Sequence, residues 1–155
     1  MDIGENKIKE VMQSVIDSYL IPKFNELGMN ASGDWINALE ARANGNIGEI
    51  WGLDYTRYLV NGRASGTPPP VQPLVRWVGF KLGLSGTEAL GAAFAIRNKI
   101  AQEGTEIYKQ GGTDLLEILQ SKEVLDFVNN QIKDIIVKEI SLKIIRQTKE
   151  AFANG

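Results

Sequence analysis

Along the first thirty positions, apolar residues recur at the helical period. Ile8, Val11, Met12, Val15, Ile16, Tyr19 and Leu20 fall three or one apart on a single stripe, which predicts an amphipathic helix. Pro22 is expected to kink or restart it, with Phe24 and Leu27 continuing the apolar face and Gly28 as the stop. The pattern then changes. Asn30 to Asp34 is turn chemistry, and Asn44-Gly45-Asn46 is a hairpin signal. Trp35–Ala43 paired with Ile47–Leu53 gives a β-hairpin. Its faces do not divide cleanly into apolar and polar, so a helix through Asp34–Ala43 is the competing reading.

From Leu53 to Pro73 the chain reads as a stiff, extended connector. Tyr55 and Tyr58 lead into Gly62-Arg63, Gly66 and three prolines, Pro68, Pro69 and Pro70. Prolines fix φ and remove backbone donors. Val71–Leu82 follows as a helix with Leu74, Val75, Trp77, Val78 and Phe80 as its apolar residues, Pro73 in its first turn and Gly83 at its end. Ser85 and Glu88 have capping-box spacing and open an alanine-rich helix, Thr87–Glu103, which Gly104 closes. Gly91, Ala92, Ala93 and Ala95 allow close helix approach. Tyr108–Thr113, with Gly111-Gly112, is expected to be a mobile loop.

No glycine or proline occurs between Asp114 and Gly155. Leu115, Leu119, Val124, Val128, Ile132, Ile136 and Ile140 keep helical spacing, while Ile135-Ile136-Val137 and the alternation through Ile144 leave a terminal strand open. The apolar set 135–145 is too wide for one helical stripe, which points to a subunit contact. The fold class is therefore α+β, mostly α-helical. It comprises a long N-terminal helix, a β-hairpin, a Pro-rich loop, two helices and a helical C-terminal tail over residues 114–155, all in one domain, 1–155.

Composition narrows the chemistry. The 155 residues are 43% hydrophobic and 23% charged, as in a folded globular protein. No apolar run approaches the ~20 residues of a membrane helix, and Met1–Glu10 lacks a secretory signal pattern. With neither cysteine nor histidine, disulfides, thiol nucleophiles and every imidazole mechanism are excluded. The net charge of −2 hides a gradient. Residues 1–54 hold nine acids against four bases, whereas 55–87 hold Arg57, Arg63, Arg76 and Lys81 with no acid. Such a patch suits an acidic partner or the acidic region of a neighbouring copy.

Other constellations are weaker. Gly62 and Gly66 lack the Gly-Lys-Ser/Thr end of a phosphate loop. Asp34, Glu40, Glu49 and Asp54 have no spacing that selects a metal or an acid–base pair, so no cofactor or metal is expected. Trp35, Trp51 and Trp77 read as core or interface anchors. Arg57 and Arg63 beside the prolines are the sharpest candidates for partner contact. The residues alone indicate a non-enzymatic interaction module.

The order Tyr55-x-x-Tyr58, Gly62-Arg63, Gly66, Pro68-Pro69, Trp77, Lys81 and then the helix Ala93-Phe94-Ala95-Ile96-x-x-x-Ile100-Ala101-x-x-Gly104 resembles the head–tail connector proteins of tailed bacteriophages. These are the neck or tail-completion proteins of the lambdoid head–tail joining type, and the likeness covers residues 47–112. It implies a virion component without catalytic activity, made in the host bacterial cytoplasm and placed at the head–tail junction. Copies would form a ring between the portal or adaptor and the tail proteins, with DNA passing through the lumen and no membrane contact. Partner-binding residues would be Tyr55, Arg57, Tyr58, Arg63, Pro68, Pro69, Pro70, Arg76, Trp77 and Lys81, with the basic 55–87 segment facing the acidic first third of the next copy. The alternative is a small phage nucleic-acid-associated or regulatory protein, using the four basic residues on phosphates.

Overall fold

The computed structural model describes residues 3–153, and they are mostly helical with one two-stranded sheet. Helix α1 (Glu5–Val15) runs through a wide π turn (Ile16–Leu20) into α2 (Ile21–Glu26) without a break. Pro22 has no N–H to give and its ring crowds the carbonyl four residues back. The chain answers by widening one turn, so that the Ile21 N–H reaches back five residues to the Ile16 carbonyl. Pro22 thus restarts the helix through a π turn, with no residue outside helix between α1 and α2. Gly28 ends α2 as expected: its φ is 68°, and Met29 and Gly28 donate to the carbonyls of Phe24 and Asn25, the Schellman pattern.

The hairpin forms, but its first strand starts later than the sequence suggests. Asp34–Asn37 is a short helix, α3, and the strands are β1 (Glu40–Asn44) and β2 (Ile47–Trp51), antiparallel with Asn44 opposite Ile47. The competing reading was right for one turn only. Trp35 explains the boundary: it is buried, stacks on Phe24 at 4.3 Å and donates its indole N–H to Thr56 Oγ1 at 2.9 Å. A strand from residue 35 would give up that site. At the turn, Gly45 has φ 58°, which suits the first position of a two-residue hairpin loop.

The segment from Leu53 to Pro73 is not extended throughout, because Thr56–Asn61 is a helix, α4. Helix α5 (Val71–Leu82) ends at Gly83 as expected. Helix α6 (Gly86–Glu103) begins at Gly86, and the Ser85 hydroxyl makes no capping bond, so the capping box does not form. The expected mobile loop is instead structured. Glu106–Lys109 is a helical turn, α7, and Thr113 is tied to α4 by bonds from its N–H to the Val60 carbonyl (2.7 Å) and from its hydroxyl to the Leu59 carbonyl (2.9 Å). A 3₁₀ turn (Glu117–Gln120) then leads into α8, one 32-residue helix (Lys122–Ala153) that leaves no terminal strand.

Two hydrophobic clusters stand out among the described residues, beside buried Ile8, Val11, Val15, Ile16, Ala41 and Val124 on other faces. The larger joins Leu20, Phe24, Trp35 and Leu115, with Leu39, Ile50, Leu59 and Ile118 around them. The smaller lies inside the α5–α6 pair, where Val78 meets Ala89 and Ala93. Helix α1 lies across the hairpin and antiparallel to the first half of α8. Tyr19 meets Phe127 edge-on at 5.3 Å, and Lys7 bonds Glu139 one helix-length away. Beyond Glu139 every described residue of α8, 140–153, is exposed. Among the described residues, no helix is long and apolar enough to cross a membrane.

Candidate interaction surface

The residues singled out between 55 and 81 fall into two groups, divided by what their charges touch. Arg76 is paired with Asp34 at 2.7 Å, and Lys81 donates to the Gly28 carbonyl at 3.0 Å. Both contacts hold α5 to the body of the same chain. The acidic first third therefore meets Arg76 within its own molecule. Tyr55 sits beside the same ion pair. Burial first, and then the Asp34 carboxylate, push its phenol above the ordinary tyrosine range.

Arg57 and Arg63 behave differently. Their guanidinium carbons lie 4.7 Å and 5.1 Å from the centroid of the Tyr58 ring, within cation–π range. Arg57 also donates to the Tyr58 hydroxyl at 3.0 Å, and Arg63 to the Thr67 carbonyl at 3.3 Å. Neither forms an ion pair among the described residues. Each guanidinium carries five donors, so most remain available to a carboxylate or phosphate. The ring holds the two cations ready without neutralising them.

A backbone clasp sets this cluster in place. The Arg63 N–H donates to Thr105 Oγ1 at 2.9 Å, the Thr105 N–H returns a bond to the Arg63 carbonyl at 2.9 Å, and Gly66 donates to the Ala101 carbonyl at 2.8 Å. The two strands of the clasp meet at glycines. A Cβ on Gly62 would stand 2.2 Å from the Tyr108 nitrogen, and one on Gly104 would stand 2.8 Å from the Arg63 carbonyl oxygen. Both glycines also have positive φ, 71° and 78°, so no other residue fits either place without strain.

The prolines continue the clasp. Arg97 Nε donates to the Pro69 carbonyl at 3.0 Å, and Pro69 is buried while Pro68 and Pro70 are exposed. The segment is stiff, and it is bonded to α6 at Gly66 and at Pro69. Thr105 and Arg97 were not legible as parts of the site. Thr105 directly before Glu106 does carry a helix-start signal, and its hydroxyl caps α7 by accepting from the Tyr108 N–H.

Of the three tryptophans only Trp35 is core. Trp51 is half exposed under the Arg42 guanidinium (4.4 Å), and Trp77 is 42% exposed, with Phe80 at 59% on the following turn. Leu90 and Phe94 on α6 are exposed as well. The α5–α6 pair thus offers exposed aromatic surface of its own, a residue type typical of binding hot spots.

No protein-family model matches this chain, and neither the curated proteins nor the solved structures compared with it include a match.

Proposed function

We propose that the chain is a structural virion protein of a tailed bacteriophage, one copy in a ring that joins the capsid portal to the tail. The observation that supports this reading best is the clasp. Residues that carry the resemblance yet lie forty positions apart, Gly62-Arg63 and Gly104, close on one another and hold Arg57 and Arg63 outward over Tyr58. Such an arrangement presents charge on a fixed frame. It suits docking, because little side-chain freedom remains to be lost on binding.

The neighbour's contribution would be acidic, and within the ring it would come from the next copy or from the adjoining portal or tail protein. Gold-labelled antibody on purified particles is the first test, with label expected only where head meets tail. Particles that remain unlabelled would refute the assignment. In that case the uncommitted guanidiniums favour the nucleic-acid reading, whose mark is DNA binding by the purified protein that weakens steeply with salt. The double charge reversal Arg57→Glu with Arg63→Glu is expected to leave a folded protein that no longer supports particle assembly. Full assembly with that variant would remove the cluster from the interface.

A further inference from the structure

The last fourteen described residues of α8 project from the body as a bare helix, about 21 Å at 1.5 Å per residue. Val124, Val128, Gln131 and Ile135 lie on the α1 side of α8. Leu142, Ile145 and Phe152 continue that stripe at helical spacing, past the point where α1 can cover it. Phe152, at the tip, is 85% exposed, more than any other large apolar residue described. Isolated helices of this length are marginal in water, so a stripe of this kind calls for a partner.

A receptor of the right shape lies at the opposite end of the same helix. Between α1, β2, the 3₁₀ turn and the start of α8 is an apolar cleft of about 270 Å³, lined by Met12, Val15, Ile50, Leu119, Val124 and Val128. An apolar cavity of ~150 Å³ already holds a benzene ring, so the cleft admits one aromatic side chain. A second hollow, between α1 and α8, is lined by Lys7, Glu10, Gln131 and Lys138 besides Val11 and Ile135, and is too polar for that role.

The chain cannot fill the cleft with its own tip. Phe152 is 28 residues along a continuous helix from Val124, about 42 Å away. Charge favours a second copy. Residues 114–126 carry Asp114, Glu117, Glu123 and Asp126 against Lys122, whereas 140–153 carry Lys143, Arg146 and Lys149 against Glu150. Glu117, Glu123 and the three tail bases form no ion pair among the described residues.

We infer that the α8 tail of one copy docks on the next copy, with Phe152 in the cleft beside Leu119 and Val128 and the tail bases over Glu117 and Glu123. The contact is heterologous, one end of a molecule against the other end of its neighbour, and such contacts propagate into rings or filaments. It deepens the ring reading above, but it does not depend on where in a particle the ring sits.

The absence of cysteine makes the test direct. Full-length Phe152→Cys and Leu119→Cys chains are mixed under mild oxidation, and Phe152→Cys with Val128→Cys in parallel; circular dichroism checks that each variant keeps its fold. The expected product is the mixed disulfide as the main crosslinked species, with most of it lost when salt is raised before oxidation. A Phe152→Cys chain that crosslinks chiefly to itself would mean tail-to-tail pairing and would overturn the inference, as would no crosslink in either mixture. Unlabelled virions with the mixed disulfide intact would remove the head–tail assignment alone, and label at the junction without that disulfide would remove the docking alone.

Discussion

Two hydrophobic clusters of this molecule are built on opposite plans. The larger draws Leu20, Phe24, Trp35 and Leu115 from segments spread over almost a hundred positions. Its members are large, and one indole both stacks and donates a hydrogen bond. The smaller is local: α5 and α6 are joined by three residues and meet through Val78, Ala89 and Ala93. One core ties the chain together, while the other makes a thin two-helix blade held to the body by Arg76–Asp34, Lys81 and the clasp. The first buries its aromatic residues, and the second keeps its own on its outer surface.

The contrast can be broken most sharply at Trp35. Trp35→Ala is expected to cost about 3–5 kcal/mol, since it removes a large buried side chain and leaves a cavity. The midpoint of urea unfolding reads this directly, and a midpoint near wild type would mean that the larger core does not carry the fold. Next comes Gly62→Ala. Left-handed backbone in a non-glycine residue costs about 1–3 kcal/mol, and the clash with the Tyr108 nitrogen adds to it. Loss of amide-exchange protection should centre on Arg63, Thr105 and Tyr108, and protection that stayed unchanged there would dissolve the clasp.

The smaller core is probed by Ala93→Leu, which overfills a site with no exposed surface. Overpacking typically costs about 1–3 kcal/mol, and here the blade has only weak ties through which to spread the strain. Exchange should accelerate in α5 and α6 and remain slow around Trp35. Uniform acceleration would show that the two cores melt as one.

The smallest effect concerns the ion pair between Lys23 and Asp114, 2.8 Å apart. The hydrogen bond from Lys23 holds the Asp114 carboxyl below its ordinary value of 3.8, so the unfolded chain takes up that proton more readily than the folded one. The pair's stabilisation is therefore present above that value and is lost as acid titrates the folded carboxyl. Wild type and Asp114→Asn should differ slightly in stability near neutral pH and converge in acid. A constant gap across the acid range would contradict the assignment.

Local signals carried most of the fold. The α1 stripe, Gly28, the Asn44-Gly45-Asn46 turn, Gly83 and the alanine-rich α6 all act through near neighbours in sequence, and each does in the structure what its residue type suggests. The misplacements share a cause, which is tertiary contact. Trp35 enters the core and draws residues 34–37 into a helical turn. Val60 and Leu59 bind Thr113 and order a glycine-rich stretch that composition reads as loose. The candidate site was legible in its charges but not in their use. Nothing local distinguishes Arg76, which meets Asp34, from Arg63, which meets a tyrosine ring and no acid.

The π turn at Ile16–Leu20 amounts to one residue more than an α-helix needs between the faces on either side of it. Upstream, Ile8 and Val11 address the hairpin and α8; downstream, Leu20 and Phe24 address Trp35 and Leu115. A deletion of any single residue from that turn would let the helix close up as regular α and leave the two faces in register, whereas the same deletion elsewhere in α1 or α2 would swing one face by roughly 100° relative to the other. The N-terminal helix thus has one place where a shortening by one residue is absorbed, and that place lies just before a proline.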